Sequence, residues 1–356
     1  MTCSASMPQR AHGAGLRPIS RRPALAALAA TISLLIAGKA LAFDCPPAPQ
    51  GVRDIKAMGY YSDRASSVID ETKFKANAAL TQPLNDFNKR LASMSDAYLA
   101  TGDAEVGACA AVWLDRWGRD GAMLGVMEHV NNDQADYLRQ WLHGGLAIAY
   151  LQVKPVASTE QRARIEGWLK AVAEASLAYW DNPRKHRNNH YYWTGVGVMA
   201  TAVATQDQRL LNVAKAIYDK GVDDIADDGS LPMEMARGAR AFHYHNYALD
   251  PLVLMAEMAR AQGEDWYGYR RNRIDLLADR VAAGYADQSW FAEHAFAPQA
   301  PDDAKPTGET GWVEFYRLRS ARPERFEALH LAGPYMDPRA GGDLTLMARR
   351  GLFNPK

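Results

Sequence analysis

The sequence has 356 residues, with 48% hydrophobic and 10% aromatic side chains and equal numbers of basic and acidic residues, 41 of each. This apolar content is enough for a large buried core and excludes a mainly disordered chain. The charge balance excludes the basic surplus that nucleic-acid-binding proteins carry, so we expect no nucleic-acid partner.

Residues 1–42 have the three parts of a secretory signal peptide. Three arginines between positions 17 and 22 form the basic start, an apolar run covers 24–37, and Ala40-Leu41-Ala42 is a small-x-small cleavage site. The apolar run is short for a membrane span, and no later run of about 18 apolar residues follows. We therefore expect a periplasmic protein that is cleaved after Ala42 and has no membrane partner. An uncleaved anchor is the alternative.

Signal cleavage would change both the charge and the cysteine content. The segment 1–42 carries five basic residues and no acidic one, which leaves 36 of the 41 basic residues against 41 acidic ones, a net charge of −5. Because the chain as a whole would then be acidic, an anionic ligand would have to be attracted by basic side chains at its binding site. Cys3 is lost, so Cys45 and Cys109 remain as an even pair in an oxidising compartment, which predicts a disulfide. Two buried free thiols are the alternative.

The mature chain has the pattern of successive helices. Apolar residues recur near a 3.6-residue period in eight segments, namely 76–99, 103–126, 134–153, 160–179, 193–205, 208–221, 240–261 and 266–286. Short connections rich in Gly, Asp, Asn or Pro join them, and no strand of alternating pattern is evident. Antiparallel helices on short loops predict an all-α fold of helical hairpins. Because no repeat of fixed period is present, we expect one closed or nearly closed α/α toroid over 43–356 rather than a solenoid.

Two segments do not follow the helical pattern. Residues 57–75 are polar and irregular and are expected to form a mobile loop. Residues 298–311 are rich in Pro, Asp and Gly and are expected to form a long surface loop.

The helix predicted over 193–205 follows the run "NNHYYW", which combines amide, imidazole and aromatic side chains. Asn188 or Asn189 can cap the helix, because an amide oxygen accepts hydrogen bonds from its first N–H groups. Capping accounts for one asparagine only. A helix N-terminus also favours an anion, and three basic residues lie in the preceding loop. Core packing of these side chains is the alternative to a binding site.

A second cluster lies in "ARGARAFHYHNY". Arg237 and Tyr244 are seven residues apart, as are Arg240 and Tyr247, so each pair would share a face of a helix. Gly238 weakens the helix, so the first pair would straddle its start. The spacing does not decide between the two pairs.

Histidine pairs at 186/190 and 243/245 resemble metal ligands, but neither has a carboxylate at metal-binding spacing. We therefore expect no metal and no organic cofactor.

Asn, His, Arg and Tyr side chains together suit the β-elimination of a polyuronate. Asn and Arg offset the charge of the sugar carboxylate, so that the neighbouring C5 proton becomes removable. A His or Tyr then takes that proton, and a Tyr donates one to the leaving oxygen. A glycoside hydrolase would instead need two carboxylates about 5–10 Å apart. Asp227, Asp228 and Glu234 are the candidates, in a segment that also has the pattern of a simple turn.

At these residues the sequence resembles the alginate lyases of polysaccharide lyase family 5. Residues 188–193 match the motif Asn-Asn-His-x-Tyr-Trp. Residues 231–234, Arg237 and 244–249 match a second block, Leu-Pro-x-Glu, then Arg, then Tyr-His-Asn-Tyr-Ala-Leu. Residues 339–342 match an Arg-x-Gly-Gly element near the end. The resemblance extends over nearly the whole mature chain.

The resemblance implies an incomplete α/α toroid with a tunnel-like cleft, and a lyase that cleaves alginate and polymannuronate to leave unsaturated uronate ends. It implies that Asn189 and Arg237 hold the carboxylate and that His190 is the base or positions it. Tyr244 is then the acid, or both base and acid. The implied substrate-binding residues are Trp141, Trp193, Tyr247 and Arg339 in the cleft, and Tyr61, Arg64 and Lys73 in a lid formed by 57–75.

The sequence departs from the family pattern beside the first motif. Many alginate lyases have Ser at the position of Tyr191, and "AAWSVMA" where this chain has "TGVGVMA". Gly195 and Gly197 are expected to make that wall of the cleft smaller. The alternatives are therefore a broader lyase that also cleaves polyglucuronate or hyaluronate, and a non-catalytic polysaccharide-binding protein on the same scaffold. We expect a monomer whose partner is an anionic polysaccharide.

Overall fold

The structure is a computed structural model that describes residues 43–354. Most of these residues lie in helices. The predicted signal peptide, residues 1–42, and its cysteine lie outside the described residues. Within 43–354, no helix combines the length and apolar character that crossing a membrane requires.

The helices of the described residues are, in chain order, α1 (Glu71–Thr101), α2 (Ala104–Asp120), α3 (Gln134–Val153), α4 (Thr159–Ala178), α5 (Asn189–Thr205), α6 (Gln208–Asp223), α7 (Pro232–Met235), α8 (Ala241–Ala261), α9 (Ile274–Ala286), α10 (Ser289–His294), α11 (Val313–Tyr316), α12 (Glu327–Leu331) and α13 (Leu344–Arg350). The strands are β1 (Ile55–Met58), β2 (Met127–Val130), β3 (Met336–Asp337) and β4 (Gly342–Asp343). All eight predicted helices are present, and the bounds of α3 match the predicted segment.

Capping residues explain where two helices begin earlier than predicted. Asp70 accepts hydrogen bonds from the N–H groups of Thr72 and Lys73, so α1 already begins at Glu71. The irregular segment after β1 is correspondingly shorter than predicted. Asn188 accepts from the N–H of His190 and starts α5 at Asn189. The first motif therefore lies in the first turn of α5, not before the helix.

The last of the eight predicted helices, over 266–286, begins later in the structure than predicted. Arg270, Arg271 and Asn272 have φ values of 50°, 57° and 61°, in the left-handed region. This backbone interrupts the helical hydrogen-bond pattern, so α9 begins at Ile274 rather than at residue 266.

Two short pairs of strands accompany the helices, although the sequence shows no strand of alternating pattern. β1 and β2 pair in parallel with Ile55 opposite Met127, and β3 and β4 pair antiparallel with Met336 opposite Asp343. The strands are only four and two residues long, too short to show an alternating pattern in the sequence.

The long helices pack in two layers. Helices α1, α3, α5 and α8 contact one another in that order, while α2, α4, α6 and α9 pack against them. This is the arrangement of helical hairpins predicted from the short connections. The C-terminal segment packs against the first helix, since β4 and α13 contact α1.

Gly195 and Gly197 lie inside the helix packing, which corrects their predicted role in the cleft wall. A Cβ atom on Gly195 would lie 2.5 Å from the sulfur of Met255 in α8, and one on Gly197 would lie 2.3 Å from Nδ1 of His143 in α3. These glycines allow α5 to approach α8 and α3 closely. They face the core because the apolar half of α5 is buried on all sides.

The predicted disulfide is confirmed. Cys45 and Cys109 are bonded, with their Cα atoms 5.6 Å apart, and the bond ties the N-terminal segment to α2. Trp113 of α2 also donates its indole N–H to the carbonyl of Pro46 at 3.0 Å. In the chain-entropy model a loop of this length contributes about 4 kcal/mol.

Candidate active site

A cavity of about 900 Å³ lies at the N-terminal ends of α3, α5 and α8. The loop between β1 and α1 and the segment before α5 complete its wall. Helix N-termini carry partial positive charge, so three of them around one cavity favour an anion inside it. Six basic side chains line the cavity against two acidic ones: Arg64, Arg184, Lys185, Arg237, Arg240 and Arg339 against Asp133 and Glu309.

His190 lines the cavity from the first turn of α5. Its ring stacks on Tyr137 of α3, with ring centres 3.7 Å apart and planes at 8°. Burial, and then the charge of Arg237, lower the pKa of His190 to about 3. The imidazole is therefore neutral at neutral pH, and Nδ1 has no hydrogen-bond partner among the described residues. A neutral ring is able to accept a proton.

Asn189 is fully buried beside His190 and is not among the residues that line the cavity. Its backbone N–H and its side-chain Nδ2 both donate to Oε1 of Glu234, at 3.0 Å and 2.9 Å. Its Oδ1 has no partner among the described residues. The side chain therefore lies next to the site with its amide turned towards Glu234.

Arg237 and Tyr244 are brought together across the start of α8, as their spacing predicted. A 3₁₀ turn over Gly238–Arg240 separates Arg237 from the helix, and Gly238 has a φ of 57°, which favours glycine. The guanidinium carbon of Arg237 lies 3.5 Å from the centre of the Tyr244 ring. That of Arg240 is 5.8 Å away, and Arg240 binds Asp303 at 3.1 Å instead.

Tyr244 is held as a neutral phenol. Burial raises its pKa well above the ordinary value, while the charge of Arg237 acts in the opposite direction. Its hydroxyl is 2.6 Å from the hydroxyl of Tyr61 in the loop before α1. Arg237 donates from Nε to the carbonyl of Ala65 in the same loop at 2.7 Å. The loop predicted as a lid thus contacts both residues.

Trp141, Tyr247 and Arg339 line the cavity, as predicted. The rings of Trp141 and Tyr247 meet edge to face, with centres 6.4 Å apart. The guanidinium carbon of Arg339 lies 5.3 Å from the Tyr247 ring centre. Arg339 also binds Asp337 at 2.9 Å and Glu309 at 2.7 Å.

Comparison with known proteins settles the family. The model of the family described as "Alginate lyase" matches residues 54–291. The chain belongs to the alginate lyase family. This confirms the resemblance to polysaccharide lyase family 5, and it makes the chain a polysaccharide lyase, that is, a carbon–oxygen lyase.

Relatives match over most of their length. A polysaccharide lyase of Stenotrophomonas maltophilia is 53% identical over 91% of this chain and 96% of its own. An alginate lyase of Pseudomonas syringae is 33% identical over 85% of this chain and 82% of its own. Among solved structures, a form of alginate lyase A1-III complexed with a tetrasaccharide superposes with a TM-score of 0.75 at 28% identity, covering 86% of this chain and 87% of that one. The likeness confirms the predicted α/α toroid.

Two residues that the family resemblance implied as substrate contacts do not line the cavity. Trp193 has 0% of its surface exposed and donates its indole N–H to the carbonyl of Tyr247 at 3.2 Å, so it supports the wall from behind. Lys73 lies in the first turn of α1, where it pairs with Asp70 at 3.3 Å. Neither is among the residues that line the cavity, whereas Tyr61 and Arg64 are.

Sequence reasoning missed several lining residues. Tyr137 lies four residues before Trp141 on α3, so helical spacing from a predicted residue could have found it. Tyr60 is the neighbour of Tyr61, and it also lines the cavity. Glu309 lies in the segment 298–311, which was expected to be a surface loop and carried no signal of a site.

The carboxylates considered for a hydrolase do not form a pair in the cavity. The side chain of Asp227 is 96% exposed and pairs with Arg273 at 2.8 Å. Glu234 is buried, and neither it nor Asp228 is among the lining residues. Within 43–354, no group of three or more His, Cys, Asp or Glu side chains has the geometry of a metal site.

Proposed function

We propose that this protein cleaves alginate, and polymannuronate in particular, by β-elimination. The observation that carries the proposal is the position of His190, Arg237 and Tyr244 on one cavity that is rich in basic side chains. The whole mature chain is acidic, so this cavity supplies the local attraction that a polyuronate requires.

The first chemical requirement is to make the C5 proton of the uronate removable. A carboxylate next to C5 opposes deprotonation until its charge is offset. Arg237 lines the cavity and carries a permanent charge, so we assign it to the substrate carboxylate. Asn189 is the second residue assigned to that carboxylate, from its position beside His190 at the start of α5.

The charge states of the other two residues suggest how protons move. Tyr244 is a phenol and therefore ready to donate a proton to the leaving glycosidic oxygen. His190 is a neutral imidazole that accepts the C5 proton, although its low pKa makes it a weak base. We therefore assign the base step to His190 and the acid step to Tyr244. The alternative is that Tyr244 serves in both steps and His190 positions it.

The lid contacts suggest how the site is closed around a sugar. Tyr61 and the carbonyl of Ala65 bind Tyr244 and Arg237 directly. A substrate carboxylate would take over Arg237 from Ala65, while Tyr61 and Arg64 remain in reach of the bound chain. We therefore assign Tyr61, Arg64, Trp141, Tyr247 and Arg339 to substrate binding.

Broader polyuronate specificity is a second candidate. The relative with 53% identity is named a polysaccharide lyase, whereas relatives named alginate lyase are 32–34% identical. The glycines of α5 do not support this candidate, because they do not line the cavity.

We further propose that the protein is exported to the periplasm, as a monomeric lyase domain over residues 43–356. The Cys45–Cys109 disulfide supports this location, because such bonds persist in oxidising compartments.

The decisive experiment follows the absorbance of the unsaturated product. Purified protein is incubated, with chelator present, with polymannuronate, polyguluronate, polyglucuronate or hyaluronate. Absorbance is expected to rise with polymannuronate, and a Tyr244→Phe variant provides the blank. New reducing ends without absorbance would show hydrolysis, and binding without either signal would show a non-catalytic protein. Either result would overturn the proposal.

A further inference from the structure

A buried carboxylate contacts two of the residues assigned to the reaction. Glu234 is 1% exposed and belongs to the short helix α7. Its Oε1 accepts both hydrogen bonds from Asn189 described above. Its Oε2 lies 3.9 Å from Nη1 of Arg237 and has no hydrogen-bond partner among the described residues. One carboxylate thus lies between the two groups assigned to the substrate's carboxylate.

Helix capping accounts for only part of this arrangement. A carboxylate near a helix N-terminus satisfies free N–H groups, and the bond from the Asn189 backbone serves that purpose. Asn188 already caps α5 with its own side chain. The bond from Nδ2 of Asn189 to Glu234 satisfies no helix group. It fixes the orientation of the Asn189 amide.

Burial raises the pKa of Glu234, while the charge of Arg237 and the two hydrogen bonds from Asn189 act in the opposite direction. The orientation follows from geometry, because Oε1 accepts both bonds and has no hydrogen to donate. Only the NH₂ end of the Asn189 amide is able to bond to it, so the amide cannot turn its oxygen towards Glu234. The second hydrogen of Nδ2 is then left for another acceptor. On the other side, Oε2 lies near Nη1 of Arg237 and restricts the position of a guanidinium that also contacts the lid.

We propose that Glu234 is a positioning residue of the lyase reaction, holding the amide of Asn189 and the guanidinium of Arg237 in register for the substrate carboxylate. The inference rests on the proposed β-elimination. Glu234 touches neither the cavity nor a reacting atom, so it acts through Asn189 and Arg237. Removing it is expected to lower kcat about 10²-fold, the usual effect of a small misplacement of catalytic groups, with little change in KM.

The test compares three substitutions at this position. Glu234→Gln keeps an acceptor for both Asn189 donors, so kcat is expected to stay within about tenfold of the wild type. Glu234→Ala removes the acceptor and is expected to show the full loss. Glu234→Asp keeps the carboxyl group but withdraws it by one methylene group, and an intermediate loss is expected. If the alanine variant does not fold, the aspartate variant provides the comparison, and an unchanged kcat there would overturn the inference.

A second measurement separates positioning from a merely structural role. If Glu234 acts largely through Asn189, its removal in an Asn189→Ala background has much less effect on kcat than in the wild type, which a double-mutant cycle detects. Glu257→Ala is the matched control, since Glu257 is also 1% exposed but binds Arg260 and Arg319 away from the cavity. It is expected to lower the melting temperature while leaving the kcat of the folded protein unchanged.

The two proposals fail in different ways. If the wild-type protein makes no unsaturated product, the proposed function is wrong. If the wild type is active and both the Glu234→Ala and Glu234→Asp variants keep its kcat, only the positioning role is wrong. Equal losses in the wild-type and Asn189→Ala backgrounds would also contradict it.

Discussion

The guanidinium of Arg237 lies over the ring of Tyr244, 3.5 Å from guanidinium carbon to ring centre. This contact supports our proposal that Arg237 and Tyr244, rather than Arg240 and Tyr247, act in the reaction. Arg240 is occupied by Asp303, and the hydroxyl of Tyr247 has no hydrogen-bond partner among the described residues. The positive charge beside Tyr244 also stabilises its phenolate, which matters if Tyr244 exchanges protons during the reaction.

The first prediction compares two tyrosines in one motif. Tyr244→Phe keeps the ring but removes the proton donor, so kcat is expected to fall by about 10²–10⁴-fold. Tyr247→Phe is expected to change KM more than kcat, because Tyr247 lines the cavity beside Arg339 and is assigned to substrate binding. Initial rates from product absorbance measure both, and thermal melting checks folding. A dead Tyr247→Phe with a nearly wild-type Tyr244→Phe would transfer the roles to Tyr247 and Arg240.

A second prediction concerns the base. If His190 accepts the C5 proton, His190→Ala is expected to lower kcat by about 10²–10⁴-fold, and His190→Gln, which cannot take a proton, is expected to be equally impaired. Should His190 only position Tyr244, the glutamine variant would recover much of the activity through its hydrogen-bonding amide. The ratio of the two kcat values therefore separates the two mechanisms.

The disulfide is expected to matter for stability and not for catalysis. A Cys45→Ser, Cys109→Ser variant loses the cross-link, and its free energy of unfolding should fall by up to about 4 kcal/mol. Neither cysteine lines the cavity, so kcat below the melting temperature should be unchanged.

The intact mass of periplasmic protein should correspond to a chain that starts at Phe43 and is two hydrogens lighter than the chain with two free thiols. Two alkylatable thiols in the native protein would contradict the disulfide.

Acid stability should depend on His143. Burial, and then the charge of Arg139, lower the pKa of His143 to about 3 in the folded protein, well below the unfolded value of about 6.5. Between these two values the unfolded chain binds a proton that the folded protein does not. His143 therefore favours unfolding progressively as the pH falls from about 6.5 to about 3.

Replacement by glutamine removes this effect. In His143→Gln, the unfolding free energy should decrease less steeply as the pH is lowered from about 6.5 to about 3. The difference in slope should be about 1.4 kcal/mol per pH unit. Denaturant unfolding at several pH values measures the slope. Asp96, whose pKa burial raises to about 7, acts in the opposite direction but is common to both proteins. Identical slopes would show that His143 is not held neutral.

Gly197 is expected to control stability rather than substrate choice. Gly197→Ala places a Cβ 2.3 Å from Nδ1 and 2.7 Å from Cγ of the His143 ring, which is unable to yield as a flexible chain would. The expected loss is about 1–3 kcal/mol of unfolding free energy, with an unchanged ranking of the four polyuronates.

Gly167→Ala in α4 is the matched control for this substitution. Nothing lies within 4 Å of the added Cβ, so the change should be neutral or stabilising by up to about 1 kcal/mol. A changed ranking of the four polyuronates in the Gly197 variant would show that Gly197 does shape the wall of the cleft.

Features that depend on local spacing along the chain could be predicted from the amino-acid sequence. The 3.6-residue period located eight helices and predicted α3 from Gln134 to Val153 correctly, because apolar periodicity reports which face is buried. The motifs around His190 and Tyr244 indicated the family. Cys45 and Cys109, the two cysteines expected to remain after signal cleavage, predicted their bond.

Contacts between distant segments could not be predicted in this way and are visible only in the folded protein. Glu234 binds Asn189 across 45 residues, and Tyr61 meets Tyr244 across 183. Periodicity shows that one face of α5 is apolar, but it does not say whether Trp193 borders a cavity or the α8 backbone. Those contacts depend on the approach of whole helices to one another, and that approach is set by side-chain packing between segments far apart in the chain.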